Sequence, residues 1–358
     1  MNPPMQDWLS AELRQRFSAG CELLSLTPLA GDASSRRYYR ARLSGTETVP
    51  SLIVMQLPEG SSLPLSSEEL AVFKEAPKEL PFINVHRFLE KIGVCVPKLY
   101  GYWENEGILV LEDLGDQPLW ERVQNIPPQE VLVWYKKALD ELLTLQRRGT
   151  AQRDGDCIAF QQRFDYALYM WEFDHFLQYG LSKRPGLVVS DALQKDLRSC
   201  FTTIARDLDH EPPCLNHRDY HSWNLMIHDE KVAVIDFQDA LLAPPQYDLA
   251  SLLNDRITDS VVTTELEKEL LDYFLAGRKD FAAPPVTKDH FVEIYLLSAI
   301  QRDLKVVGRF YYLDVVKGKP GYMKFVPPTL RRLKRNLARL PRTEHLLPLL
   351  AEHFAELR

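Results

Sequence analysis

The stretch "CLNHRDYHSWNLMIHDEKVAVIDF" (residues 214–237) decides how the rest of the chain is read. Its second half is two short apolar runs, "LMI" and "VAVIDF", around the polar turn "HDEK", the pattern of a β-hairpin. Its first half crowds His217, Asp219, His221 and Asn224 together. His217 and His221 are four apart, as two zinc ligands on one helical face would be. Asp219, Tyr220, Ser222 and Asn224 favour turns over helix, however, and no cysteine or acid stands at a recognisable third-ligand spacing. A polar turn between buried strands accounts for the polarity but not for the ordered set Asp219, Asn224, Asp236.

That order matches a chemical demand. Phosphoryl transfer from a nucleotide needs a carboxylate that accepts or orients the acceptor hydroxyl's proton. It also needs a carbonyl and a second carboxylate to hold Mg²⁺ against the phosphates. In H-x-D-x-x-x-x-N followed by "IDF", Asp219, Asn224 and Asp236 supply those oxygens in turn. A loop carries the first, the start of the hairpin the second, and its return strand the third.

The bulk numbers fit an ordinary soluble globular protein. The 358 residues suffice for one large domain or two. A formal net charge of −7 gives no reason to expect nucleic acid or an anionic membrane as partner. The five cysteines are scattered, without a C-x-x-C pair, which suits a reducing compartment. No signal peptide and no apolar run near the ~20 residues of a membrane span is visible. The expected location is the cytoplasm, with no obligate protein partner.

Along the chain, strands come first and helices afterwards. "LLSLTPLAGDASSRRYYRARL" reads as two strands around a polar turn at Gly31–Ser35, and "SLIVMQL" and "GILVLEDLGD" as further strands. "SSLPLSSEELAVFKEAPKE" reads as a surface loop with a short helical piece, and "PFINVHRFLEKIG" as a helix stopped by Gly93. Helices are expected over "PPQEVLVWYKKALDELLTLQRRG", stopped by Gly149, over "RFDYALYMWEFDHFLQYG", ending at Gly180, and over "SDALQKDLRSCFTTIARDLD". The fold class is therefore α+β and bilobed. A small β-rich N-terminal nucleotide-binding lobe spans 1–115, and a larger, mostly helical catalytic and acceptor-binding lobe spans 116–358.

The segment "HRDYHSWNL…VIDFQDALLAPPQYDLASLL" resembles the aminoglycoside phosphotransferase/choline kinase family, whose fold is protein-kinase-like. Within it, "GDASSRRYYR", "LIVMQLP", "LVLEDLGDQ" and "IQRDLKVVGRFYYLDVVKGKPGY" resemble bacterial kinases of the anomeric hydroxyl of N-acetylmuramate and N-acetylglucosamine, enzymes of cell-wall recycling. The resemblance runs from about Leu26 to the region of Lys334. It implies ATP and Mg²⁺ as cofactors and a small-molecule sugar as acceptor. By it, Asp219 is the catalytic base and His217 steadies the loop. Asn224 and Asp236 are Mg²⁺ ligands, and Asp248 is a buried anchor of the loop.

Two departures stand out. The phosphate loop has a single glycine, Gly31, so its phosphate donors are expected from Ser34 and Ser35 and from an arginine of "SSRRYYR". Strand alternation puts Arg36 and Tyr38 on one face and Arg37 and Tyr39 on the other. The strand lysine of a protein kinase is replaced by Met55, and the next helix lacks an early glutamate to pair with it. Arg37 is the expected replacement for phosphate neutralisation. Adenine is expected against the corner "LEDLG", with backbone groups of Glu112 and Leu114 and Met55 as an apolar cover.

For the acceptor, Asp165, Glu172 and His175 share one broad helical face, against the alternative that this face is merely solvated. Trp171, Tyr169 and Trp223 are candidate aromatic platforms. Gln301 and Arg302 come in by resemblance, Arg302 suiting an acceptor carboxylate. The segment 317–342 carries nine basic residues and no acid, read as a solvated helix face. The competing functions are an aminoglycoside- or choline-type kinase and an inactive nucleotide-binding relative.

Overall fold

The computed structural model describes residues 3–29, 36–46, 49–58, 78–184, 186–278 and 286–358. They fall into two compact units: those within Met1–Pro64 and Val96–Asp116, and those within Leu65–Cys95 and Gln117–Arg358. The expected turn at Gly31–Ser35, with Ser34 and Ser35, lies outside the described residues, as does the loop "SSLPLSSEELAVFKEAPKE" up to residue 77.

The first unit is an antiparallel sheet of β1 (Glu22–Pro28), β2 (Arg37–Ser44), β3 (Ser51–Gln56), β4 (Leu99–Trp103) and β5 (Ile108–Glu112), in the order β1-β2-β3-β5-β4. The helix Pro3–Arg16, which the sequence reading did not anticipate, packs with one face of it. Alternation explains the burial: Tyr39, Ala41 and Leu43 of β2 and Leu52 and Val54 of β3 face a core shared with Leu9, Leu13, Ile108 and Val110. Trp103 stands edge-on to Trp8 at 5.4 Å and donates its indole N–H to Glu12.

On the other face of β2, Arg40 is committed to the corner after β5. Its guanidinium pairs with Asp113 and Asp116, both at 2.7 Å, and donates to the Gly115 carbonyl. Burial would raise the Asp113 carboxyl, but hydrogen bonds from Ser51, Arg40 and the Gly115 N–H together bring it below the usual range. This clamp builds the polar corner that the sequence placed there.

The second unit contains the helix Pro81–Lys91, which Gly93 ends in the left-handed region at φ 76°. The helix Pro128–Ala151 does not stop at Gly149. That residue lies in its last turn, where a Cβ would come within 2.7 Å of Leu215, so the glycine serves close packing rather than termination. The helix Tyr166–His175 starts on its cap Asp165 and continues as a π-helical segment, Phe176–Ser182, past the expected end at Gly180. Behind them lie the helices Asp191–His210, Gln246–Leu253 and Thr264–Gly277 and the long helix Lys288–Val315, whose buried residues span most of its length. No helix among the described residues is long and apolar enough to cross a membrane.

The basic segment 317–342 is solvated at Lys317, Lys319, Lys324 and Arg331, as expected, but not throughout. Arg332 is buried against Asp303, and Arg335, Arg339 and Arg342 pair with Asp259, Glu267 and both Asp207 and Glu293. These charges tie the helix Val326–Ala338 and the turn after it to the rest of the unit.

Candidate active site

Short strands frame the loop: β6 (Cys214–Asn216) pairs with β9 (Leu241–Ala243), and β7 (Leu225–His228) pairs with β8 (Lys231–Val234) as the expected hairpin. Between β6 and β7 the chain turns through Arg218, whose φ is 80°. A left-handed turn in a buried place strands its N–H groups unless something receives them. Asp248, fully buried on the helix Gln246–Leu253, does so, accepting from the backbone N–H groups of His217 and Arg218. Burial pushes the Asp248 carboxyl up to about 6, against the pull of His217 and these two bonds. His217 closes the loop: its Nδ1 accepts from the Asp219 N–H at 3.3 Å, and its Nε2 meets the Ile235 carbonyl at 2.9 Å. A carbonyl only accepts, so the ring carries its proton on Nε2. Ser222 anchors the far end through its N–H and hydroxyl to Asp255.

At the mouth of the hairpin, Asn224 donates its Nδ2 to the Asp219 carbonyl at 3.0 Å, which leaves Oδ1 as the atom free to meet a cation. Its backbone carbonyl accepts from Ile235, so Asp236 follows directly beside it, exposed and at φ 64°. Gln238 donates to Asp236 Oδ1 at 2.9 Å. An amide oxygen and one carboxylate suit Mg²⁺, a hard cation that takes few protein ligands and completes its shell with phosphate oxygens and water. Among the described residues no three His, Cys, Asp or Glu side chains converge as a metal site.

Asp219 keeps 40% of its side chain exposed, and Arg302 approaches it at 3.4 Å. Burial alone would raise its carboxyl. The charges of Lys305, Arg302 and Arg218 overcome that and hold it far below the usual carboxylate range. Lys305 pairs with Glu172 at 3.1 Å and donates to the Tyr247 hydroxyl at 3.5 Å, while Gln301 donates to the other Glu172 oxygen at 2.8 Å. Arg218 is the second cation beside Glu172, at 3.8 Å. His221 is pushed down to about 3 by burial and by Arg302, and its Nδ1 has no hydrogen-bond partner among the described residues.

The second unit thus brings together Asp219, His217, Asn224, Asp236, Glu172 and Arg302. Glu172 is 1% exposed, so the alternative of a solvated face does not hold at that residue. Asp165 is a helix cap rather than a neighbour of the cluster, and Tyr169 is fully buried. His175 sits a turn away among Trp171, Tyr179 and Tyr312, and burial and Arg309 push it down to about 4. Trp223 stacks on Trp120 at 4.3 Å. In the first unit, Arg37 is exposed at the start of β2, opposite Gln56, and Met55 is fully buried between Tyr38 and Leu109 in the sheet. Glu112 closes β5 against Lys98, and Leu114 is buried just after it. The sequence reading missed Lys305 and Arg218, and weighed His221 only as a zinc ligand. The spacing of Arg302 and Lys305, three apart on one helix, was the available signal for the first.

Residues 25–288 match the model of the phosphotransferase enzyme family (APH). The N-acetylmuramate/N-acetylglucosamine kinase of Pseudomonas aeruginosa is 30% identical over 329 residues, covering 91% of this chain and 88% of that protein. The protein of that name from Pseudomonas putida is 28% identical, covering 96% and 94%. Among solved structures, a choline kinase from Streptococcus pneumoniae shares the fold with a TM-score of 0.57 at 16% identity, covering 94% of this chain and 99% of that one. The chain belongs to the phosphotransferase enzyme family, and it is an enzyme that transfers phosphate to a hydroxyl group.

Proposed function

We propose that the protein transfers the γ-phosphate of ATP, with Mg²⁺, to the anomeric hydroxyl of an N-acetylated amino sugar, N-acetylmuramate or N-acetylglucosamine. The observation that carries the reading is the Asp219 carboxylate, ionised between Arg302 and Lys305, on a loop whose other end presents Asn224 Oδ1, with Asp236 just past β8 beside it. The two Pseudomonas relatives, named for those sugars, supply the acceptor class.

Asp219 receives the acceptor's hydroxyl proton as a hydrogen bond and aims the oxygen for attack. A carboxyl held so low is a weak base, which suits a loose transition state in which the proton leaves late. His217 and Asp248 fix the loop, and neutral His221 lies beside the reacting groups as a hydrogen-bonding group. Asn224 and Asp236 would hold Mg²⁺, whose contribution is neutralising charge on the transferred phosphate. Arg37 takes the phosphate-neutralising part of the missing strand lysine. The cationic face formed by Arg302 and Lys305 disfavours choline or an aminoglycoside as acceptor, because like charges in a desolvated site repel.

Replacing Asp219 with Asn should lower sugar phosphorylation roughly 10²- to 10⁴-fold while ADP still binds; turnover at the normal rate would end the assignment. Arg37→Ala should raise the apparent KM for ATP roughly tenfold, the scale of one lost charge-assisted bond. An unchanged KM would remove Arg37 from the phosphate site.

A further inference from the structure

The helix Lys288–Val315 carries Arg302, Lys305 and Arg309 on one stripe, at positions i, i+3 and i+7. Arg302 meets Asp219, and Lys305 meets Glu172 one turn on. Arg309 lies roughly 10 Å beyond Arg302 along the axis, with its guanidinium 5.0 Å from the centre of the Tyr312 ring. Around Tyr312 gather Tyr179, edge-on at 5.0 Å, and His175, at 5.4 Å from Tyr312 and 4.7 Å from Tyr179. Arg309, Tyr312, His175 and Tyr179 are all half-buried, open enough to meet a ligand and packed enough to hold a geometry. Burial, then the charge of Arg309, push His175 down to about 4, so the ring joins the cluster as a neutral imidazole.

This is a stripe of positive charge that leads from the reacting carboxylate onto an aromatic shelf. Aromatic faces pack against the C–H faces of a sugar, and a guanidinium fork fits a carboxylate with two parallel hydrogen bonds. We propose that Arg309, with Tyr312, Tyr179 and His175, forms a subsite for a carboxylate-bearing substituent of the acceptor sugar. The inference rests on the amino-sugar reading above. It assigns to Arg309, rather than to Arg302, the group that separates N-acetylmuramate from N-acetylglucosamine, because Arg309 stands over the aromatic shelf while Arg302 stands at the reacting carboxylate.

The two sugars differ by a lactyl ether ending in a carboxylate, so they serve as each other's control. Arg309→Gln should raise KM for N-acetylmuramate roughly 10- to 100-fold, the scale of a lost charge-assisted bond, against about twofold or less for N-acetylglucosamine, with kcat little changed. Arg309→Lys keeps the charge and loses the fork, and should recover part of the loss. Parallel losses on both sugars in both variants, or no change on either, would overturn the subsite. If the unchanged protein phosphorylated neither sugar, the functional reading would fall. Calorimetric binding of the two sugars, which needs no turnover, would then decide the subsite: tighter N-acetylmuramate binding that Arg309→Gln abolishes supports it, and equal or absent binding overturns it.

Discussion

The catalytic loop and the cationic face of the helix Lys288–Val315 meet at one carboxylate, yet they are encoded in different ways. The loop's functional oxygens lie between Asp219 and Asp236, and several of the bonds that shape them run within that segment or to the adjoining His217. The face is assembled from afar: Gln301 reaches Glu172 across 129 positions and Arg302 reaches Asp219 across 83. Local spacing specifies which groups do chemistry. The tertiary packing of a long helix specifies how strongly they are charged.

The largest expected effect breaks the loop side. Asp219→Asn should lower kcat roughly 10²- to 10⁴-fold, the range of a lost acid–base group, with folding and nucleotide binding kept. The next breaks the assembled side. Lys305→Met leaves Glu172 buried with a cation missing, and should cost about 3 kcal/mol of stability in denaturant unfolding, the low end for a broken buried pair because Gln301 and Arg218 remain. The double variant Glu172→Gln, Lys305→Met should recover part of that cost, and additive losses would show that the two residues are not coupled.

Much of the loop was legible because a hairpin and an ordered Asp-Asn-Asp set are short-range patterns. The strands around "LIVMQL" and "LVLEDLG" were legible for the same reason, alternation being local. The helix Pro3–Arg16 was not read, its sequence "PPMQDWLSAELRQR" showing only a weak apolar stripe before a partner sheet is known. Gly149 and Gly180 read as stops because glycine's meaning depends on its neighbour, here Leu215 and Phe176 packed against it. Glu172, the best acceptor candidate of its helix, still read more readily as solvated until Lys305, Gln301 and Arg218 surrounded it. The basic run 317–342 looked solvated throughout because the acidic partners of its later arginines, Asp207, Asp259, Glu267, Glu293 and Asp303, lie elsewhere in the chain.

A pH titration sharpens the comparison further. Asp248 is pushed up to about 6, above its unfolded value near 3.9. The folded chain therefore binds this proton more tightly, so the group's stabilising contribution is present below about pH 4 and lost as pH rises through 6. Protonation nevertheless weakens an acceptor for the His217 and Arg218 N–H groups. Activity should fall below pH 6 while this group opposes unfolding there, and Asp248→Asn should remove that acid limb from kcat/KM. An acid limb unchanged in the variant would assign it elsewhere. The smallest effect concerns the loop's far anchor: Ser222→Ala removes a hydroxyl bond to Asp255 and should cost about 1–2 kcal/mol in stability, with a modest loss of kcat.

The most direct test of the central claim is phosphorus NMR of the protein with Mg²⁺-ATP and N-acetylglucosamine or N-acetylmuramate. A new anomeric sugar-phosphate resonance, growing with ADP and absent with Asp219→Asn, is the predicted result. ATP that stays intact in the presence of both sugars, with nucleotide bound, would contradict it.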